Sequence, residues 1–249
     1  TSSYLWSEVI ERLSSSFRCI ALDLMGLGDT LVPLSADFTM PAQADMVLGF
    51  MDALEISKTS LVAHDQGGAV AQIIATREPG RVSKLVLIDS VAYNNWPVPS
   101  VQSLQKLYRI PGAEYILGNS LTRRIANKLG MGFVQGFYDK NRVSDETIRE
   151  YIRPISSSIE RIRRYKKFLL AGNNRYTMEI AGELRRIKTP TMIVWAQNDP
   201  YLSVSWGKKL LNDIPGATRF ETLPSCGHFL PLEKPKELAD ILLKFLSEA

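Results

Sequence analysis

Ala63-His64-Asp65-Gln66-Gly67-Gly68 is the stretch on which the reading of this chain turns. The apolar run Thr59-Ser60-Leu61-Val62 enters it and a run of small residues up to Arg77 leaves it. A short strand therefore passes into a helix through a tight turn, with Asp65 at the apex. Small residues at Ala63, Gly67 and Gly68 allow a sharp bend and a close approach of backbones. The pattern is that of a strand–nucleophile–helix elbow, with Ala63 in place of the usual first glycine and Asp65 in place of serine. Such a turn lifts the side chain above the sheet and lets the backbone N–H of Gln66 face a developing oxyanion. The plainer alternative is an aspartate capping the helix that follows. Capping does not call for small residues on both sides, which favours the elbow.

Working outward, helix periodicity covers Ser7 to Leu13, and Phe17 to Asp23 reads as a buried strand ending in the loop Met25 to Asp29. Met40 to Leu54 reads as a helix with Pro41 in its first turn. Thr59 to Ala63 is a strand, Gly67 to Arg77 a helix and Lys84 to Ile88 a further strand. This alternation is the signature of a parallel sheet with helices on its faces, an α/β class. From Asn94 to Leu184 the pattern is helical. After Pro190 the alternation returns, with strand Thr191–Trp195, helix Ser203–Leu211, strand-like Thr218–Thr222 and helix Lys236–Ser247. The expected organisation is a core over residues 1–93 and 185–249, with a helical cap over 94–184.

Two later loops complete a chemical set. Asp199 follows the strand Thr191–Trp195, with Pro200 after it, and His228 lies in the loop Ser225 to Phe229 before the last helix. The chain order is nucleophile, acid, histidine. Asp89 also ends a strand and stands as an alternative acid. A structural, helix-flanking histidine is the plain reading of His228.

Composition bounds the rest. The 249 residues are 45% hydrophobic and 22% charged, with mean hydropathy −0.06, as in a folded globular chain. No apolar run approaches the ~20 residues of a membrane-spanning helix, and no signal segment is visible, which points to the cytoplasm and to no membrane partner. Two cysteines, Cys19 and Cys226, and two histidines, His64 and His228, support neither a disulfide framework nor a metal site. The net charge of +4 is uneven, because residues 94–176 hold 15 Lys/Arg against 6 Asp/Glu. That imbalance is read as either an anion-attracting module or a solvated helical face. The run Arg161, Arg163, Arg164, Lys166, Lys167 interleaves with apolar residues as one amphipathic helix. No recognised nucleic-acid-binding module accompanies it, so no nucleic acid is expected.

On the elbow, the Asn198-Asp199-Pro200 loop and the Gly227-His228-Phe229 loop, the sequence resembles the α/β-hydrolase superfamily. Asp65 at the elbow makes it similar to the haloalkane dehalogenase and epoxide hydrolase branch. The resemblance implies a cofactor-independent, metal-free hydrolase acting on a small apolar electrophile. In it, Asp65 attacks an sp³ carbon to form an alkyl ester, and His228, oriented by Asp199, activates the water that hydrolyses the ester. His64 is expected to pack and hydrogen-bond. Where many dehalogenases carry a tryptophan after the nucleophile, Gln66 stands here as the oxyanion or leaving-group donor. Epoxide hydrolases use cap tyrosines, and among those of this cap Tyr138 and Tyr151 are singled out as donors. Alternatives are an ester or lactone hydrolase with Asp65 as base, and a non-catalytic ligand-binding relative. The family pattern also includes an early hairpin and a further strand with an oxyanion loop. These are not seen ahead of Tyr4, so the numbered chain is expected to omit an N-terminal segment.

Overall fold

The computed structural model describes residues 2 to 248. Helices α1 (Ser7–Leu13) and α2 (Met40–Ala53) precede strand β1 (Thr59–Asp65), helix α3 (Gln66–Arg77) and strand β2 (Val82–Ser90). Six helices follow: α4 (Pro99–Tyr108), α5 (Ala113–Leu117), α6 (Ser120–Lys128), α7 (Asp145–Ser156), α8 (Ile159–Ala171) and α9 (Arg175–Glu179). Strand β3 (Thr191–Ala196), α10 (Val204–Asp213), β4 (Ala217–Leu223), α11 (Leu230–Glu233) and α12 (Pro235–Ser247) close the chain. The strands form one parallel sheet in the order β1-β2-β3-β4.

Strands β2 and β3 are buried along nearly their whole length, with apolar runs at residues 85–88 and 192–196, because both of their faces are covered. Leu85, Leu87, Ile193 and Trp195 point to the face packed by α2, α3 and α10. The alternate residues Val86, Ile88, Met192 and Val194 meet Val9 and Leu13 of α1 and Leu238 and Leu242 of α12. The period-two alternation of each strand thus supplies two cores, one per face. Helix α3 is buried on nearly all sides, since it lies between the sheet and α2. Thr39 caps α2 by accepting from the N–H of Ala42, and Pro41 sits in its first turn as expected.

The sequence expectation fails at Phe17–Asp23. The segment is not in the sheet, and β1 is an edge strand. A strand exists only where a neighbour completes its ladder, and no chain lies between this segment and β1 among the described residues. The two instead flank a cavity of about 570 Å³. It runs from Leu13, Phe17 and Leu246 past Leu61 and Ala63 to Asp65 and Gln66. Local polar contacts hold the end of the segment. Asp23 accepts from the N–H of Ser3 (2.6 Å) and of Asp29 (2.8 Å), and buried Gln43 exchanges two bonds with the backbone of Met25.

Between β2 and β3 every element is helical. The basic run on α8 is neither a free anion site nor simply solvated. Arg161 pairs with Asp29 at 3.1 Å and donates to the carbonyl of Gly28. Arg164 pairs with Glu160 and donates to Val32 O, and Lys166 pairs with Glu114. These cations tie the helical block to the loop 28–32 and to itself. Cys19 and Cys226 are both free.

Candidate active site

Strand β1 ends in Asp65, whose backbone lies at φ +52°, ψ −124°, a strained conformation for a residue with a Cβ. Two contacts hold the strain. The Asp65 carbonyl accepts from the N–H of Val91 at 3.0 Å, and Gly68 packs directly against Ser90. A Cβ on Gly68 would fall 1.9 Å from Ser90 Oγ, whereas one on Gly67 would meet nothing within 4 Å. Of the two glycines in the motif, Gly68 is the one the elbow requires. Gln72, a polar residue inside the apolar helix α3, locks the same junction by donating from Nε2 to Gly68 O, Ser90 Oγ and Val91 O. Its placement among apolar neighbours was the sequence signal for it.

The Asp65 side chain makes no cap bond to α3, which removes the capping alternative. Its Oδ1 is buried and has no hydrogen-bond partner. That oxygen lies 3.9 Å from His228 Nε2. On the other side of the ring, Nδ1 is 2.8 Å from Asp199 Oδ2. Asp199 is fixed in turn, with Oδ1 accepting from the N–H of Tyr201 (2.7 Å) and Leu202 (3.0 Å). Asp65, His228 and Asp199 are thus brought together in one line. His64 donates from Nε2 to the carbonyl of His228 at 2.7 Å, and the centres of the two rings lie 4.6 Å apart. The carbonyl partner fixes the His64 tautomer, and burial holds its pKa well below the ordinary value.

Asp89 does not reach Nδ1. It is fully buried at φ +39°, and its Oδ1 is taken by the N–H of Ala196 at 2.8 Å, while Oδ2 has no partner. Burial, then the neighbouring Asp199, push its pKa well above the carboxylate range. Burial likewise raises Asp65, against the opposing pull of His228 and the backbone N–H of Gln66. For His228, burial alone would lower the pKa. Asp199, through charge and hydrogen bond, together with Asp65 and Asp89, outweighs it and lifts the imidazole to about 9.

The two tyrosines singled out from sequence are placed differently. Tyr138 is 53% exposed, because its backbone N–H is drawn to Glu233, which also accepts from Gly227 N. Tyr151 is buried in an aromatic layer with Phe133, itself 4.2 Å from Phe229. Neither lines the cavity that reaches Asp65, whereas Tyr165, Phe168 and Leu169 of α8 do. Gln66 does line it, and so does Trp96, whose buried indole N–H has no acceptor. A methyl on Gly172 would sit 3.1 Å from Trp96 Nε1 and 3.5 Å from Gln66 Oε1, so both polar groups lie beside Gly172. Nothing in the sequence pattern marked Trp96.

The profile of the α/β hydrolase fold family matches residues 1–235. The chain belongs to that family. It is an α/β-fold hydrolase, similar over 99% of its length to a soluble epoxide hydrolase of Corynebacterium sp. (strain C12), with 28% identity and 86% of the relative covered. It is 25% identical to a 2-hydroxy-6-oxo-6-phenylhexa-2,4-dienoate hydrolase of Burkholderia cepacia, covering 94% of this chain and 79% of that one. Among solved folds it superposes on a point mutant of the haloalkane dehalogenase DatA from Agrobacterium tumefaciens C58. The TM-score is 0.81 at 23% identity, covering 100% of this chain and 86% of that one. Among the described residues, no helix of this α/β hydrolase is long and apolar enough to cross a membrane, and no cluster of metal-ligating side chains is found.

Proposed function

We propose that this α/β hydrolase opens an epoxide or displaces halide from an alkyl halide through an ester on Asp65. One observation carries the reading. A strained aspartate at the elbow presents an unpartnered buried oxygen 3.9 Å from a histidine that a second carboxyl holds at 2.8 Å. The 28% identical relative named as an epoxide hydrolase supports the same chemistry. The helical block, residues 94–184, acts as a cap over the cavity.

An Asp65 oxygen forms a bond to the electrophilic carbon, and the carbon–halogen or carbon–oxygen bond breaks with its electron pair going to the leaving atom. Gln66 and Trp96 offer N–H donors to the developing negative charge. The resting imidazole, with a pKa of about 9, is protonated at neutral pH beside three carboxyl groups. Forming the ester removes the Asp65 charge from its Nε2 side, so its pKa falls and the imidazolium gives up its proton, to the opened epoxide oxygen or, when halide leaves, to water. His228 thereby becomes a base at the step that needs one. It takes a proton from water, hydroxide adds to the Asp65 ester carbonyl, and the acyl–oxygen bond breaks to release the alcohol and restore the carboxylate. Asp199 holds Nδ1 and stabilises the imidazolium that forms.

A single turnover in ¹⁸O-water tests the reading. Label entering Asp65 is the expected result. Label found only in the product would make Asp65 a general base, as in the ester or lactone alternative, and no turnover with bound ligand would make the protein a binder. As a second measurement, His228→Gln is expected to accumulate an alkyl adduct on Asp65 in the intact mass.

A further inference from the structure

Helix α6 departs from the rule that apolar faces turn inward, since its large apolar side chains Leu121 and Ile125 are exposed. Two of its polar side chains, Arg123 and Asn127, are turned inward. Arg123 donates to Tyr108 Oη at 2.8 Å and lies over the Tyr165 ring, and buried Asn127 accepts from the N–H of Val134. The outward stripe is apolar, with Leu121 62%, Ile125 50% and, just past the helix end, Leu129 68% exposed. Residues four apart lie one above another, so the three form one row. The inner bonds hold the helix in this rotation and exclude a simple slip of the face.

The row continues onto the helices packed beside it. Ile116 of α5 is 68% exposed, and Leu107 and Ile110, at and beyond the end of α4, are 46% and 55% exposed. Soluble chains rarely leave so many large apolar side chains together in water. Exposed Lys106, Arg109, Arg124 and Lys128 stand among them, and none has an ion-pair partner among the described residues. The one acid in this stretch, Glu114, is already paired with Lys166. These four cations are therefore unlike Arg161, Arg164 and Lys166 of α8, which are paired within the protein.

From this combination we infer that the α4–α6 face seats on an anionic lipid surface, with the six apolar side chains entering the headgroup region and the four cations meeting lipid phosphates. Charge complementarity favours this occupant over a second copy. A two-fold contact through the same patch would set these cations against one another. The placement also has a use. Val101 and Leu104, on the other side of α4, line the cavity that reaches Asp65, so lipid-dissolved apolar compounds would stand one helix away from it. The inference does not depend on whether Asp65 acts as nucleophile or base.

The test is flotation of the full chain with vesicles of phosphatidylcholine alone and of phosphatidylcholine mixed with phosphatidylglycerol. Anionic vesicles are expected to retain the chain at least ~10-fold more strongly, with the difference lost at high salt. Leu121→Ser/Ile125→Ser is expected to weaken retention on anionic vesicles by ~10-fold or more, because each buried aliphatic side chain contributes that order of affinity. Arg124→Ser/Lys128→Ser should do the same on anionic vesicles and change nothing on neutral ones. All four side chains are exposed, so both double variants should keep the parent circular dichroism and melting temperature. Equal retention on both lipids, or anionic retention untouched by the Leu121/Ile125 pair, overturns the inference. So does a concentration-dependent dimer that the same pair dissolves, in a chain that no vesicle retains.

Discussion

At the scale of single residues, the division of labour between two buried carboxyl groups is the point most open to measurement. Asp199 meets Nδ1, while Asp89 spends one oxygen on the N–H of Ala196 and keeps the other unpartnered. Asp199→Asn is expected to lower the rate of ester hydrolysis by ~10²–10⁴-fold through loss of His228 orientation and charge. Asp89→Asn should cost under ~10-fold, because burial already favours its neutral form and an amide oxygen can accept from Ala196. Stopped-flow decay of the ester separates the two. The pH dependence of stability follows from His228. Its pKa is about 9 in the fold against an ordinary 6.5, so the fold favours the protonated ring. That stabilisation is full below pH 6.5 and fades as pH climbs through 9, an effect of about 3 kcal/mol. Melting temperature should fall over that window, and His228→Gln should flatten the fall.

At the scale of elements, the elbow is defined by contact between α3 and the end of β2. Gly68→Ala drives a methyl into Ser90 and is expected to destabilise by about 1–3 kcal/mol and to misplace Asp65. Gly67→Ala meets open space and should be neutral or stabilising by up to about 1 kcal/mol, since alanine is the better helix former. Chemical denaturation of the two variants gives the comparison. Elements whose signal is local were legible in the amino-acid order. Strands β2 and β3 read from their apolar stretches at 85–88 and 192–195, α2 from its periodicity and Pro41, and the Asp65, Asp199 and His228 loops from their neighbours. Phe17–Asp23 was not legible, because its apolar run has the composition of a strand while the ladder is a property of the neighbour and not of the run. The surroundings of the cap tyrosines were not legible for a related reason. The exposure of Tyr138 follows from a pull by Glu233, some ninety residues on, and no periodicity encodes that. Trp96 and Gln66 both lie beside Gly172, again a tertiary fact.

At the scale of the whole molecule, the helical block is seated on the core by the cations of α8. Arg161 spans the junction with a bond to the carbonyl of Gly28 and an ion pair to Asp29, and it also bonds the carbonyl of Pro154 within the block. Its partner is largely exposed, so the pair itself is weak and the carbonyl bonds carry most of the effect. Arg161→Ala is expected to cost about 1–2 kcal/mol and to quicken amide exchange in α8 and loop 28–32 more than in β2 and β3. The same scale contains Cys226, free and fully buried two residues before His228 in the same loop. A thiol reagent reaches it only when that loop opens. The rate of its labelling is therefore a clock for the rearrangement of the loop that carries the imidazole.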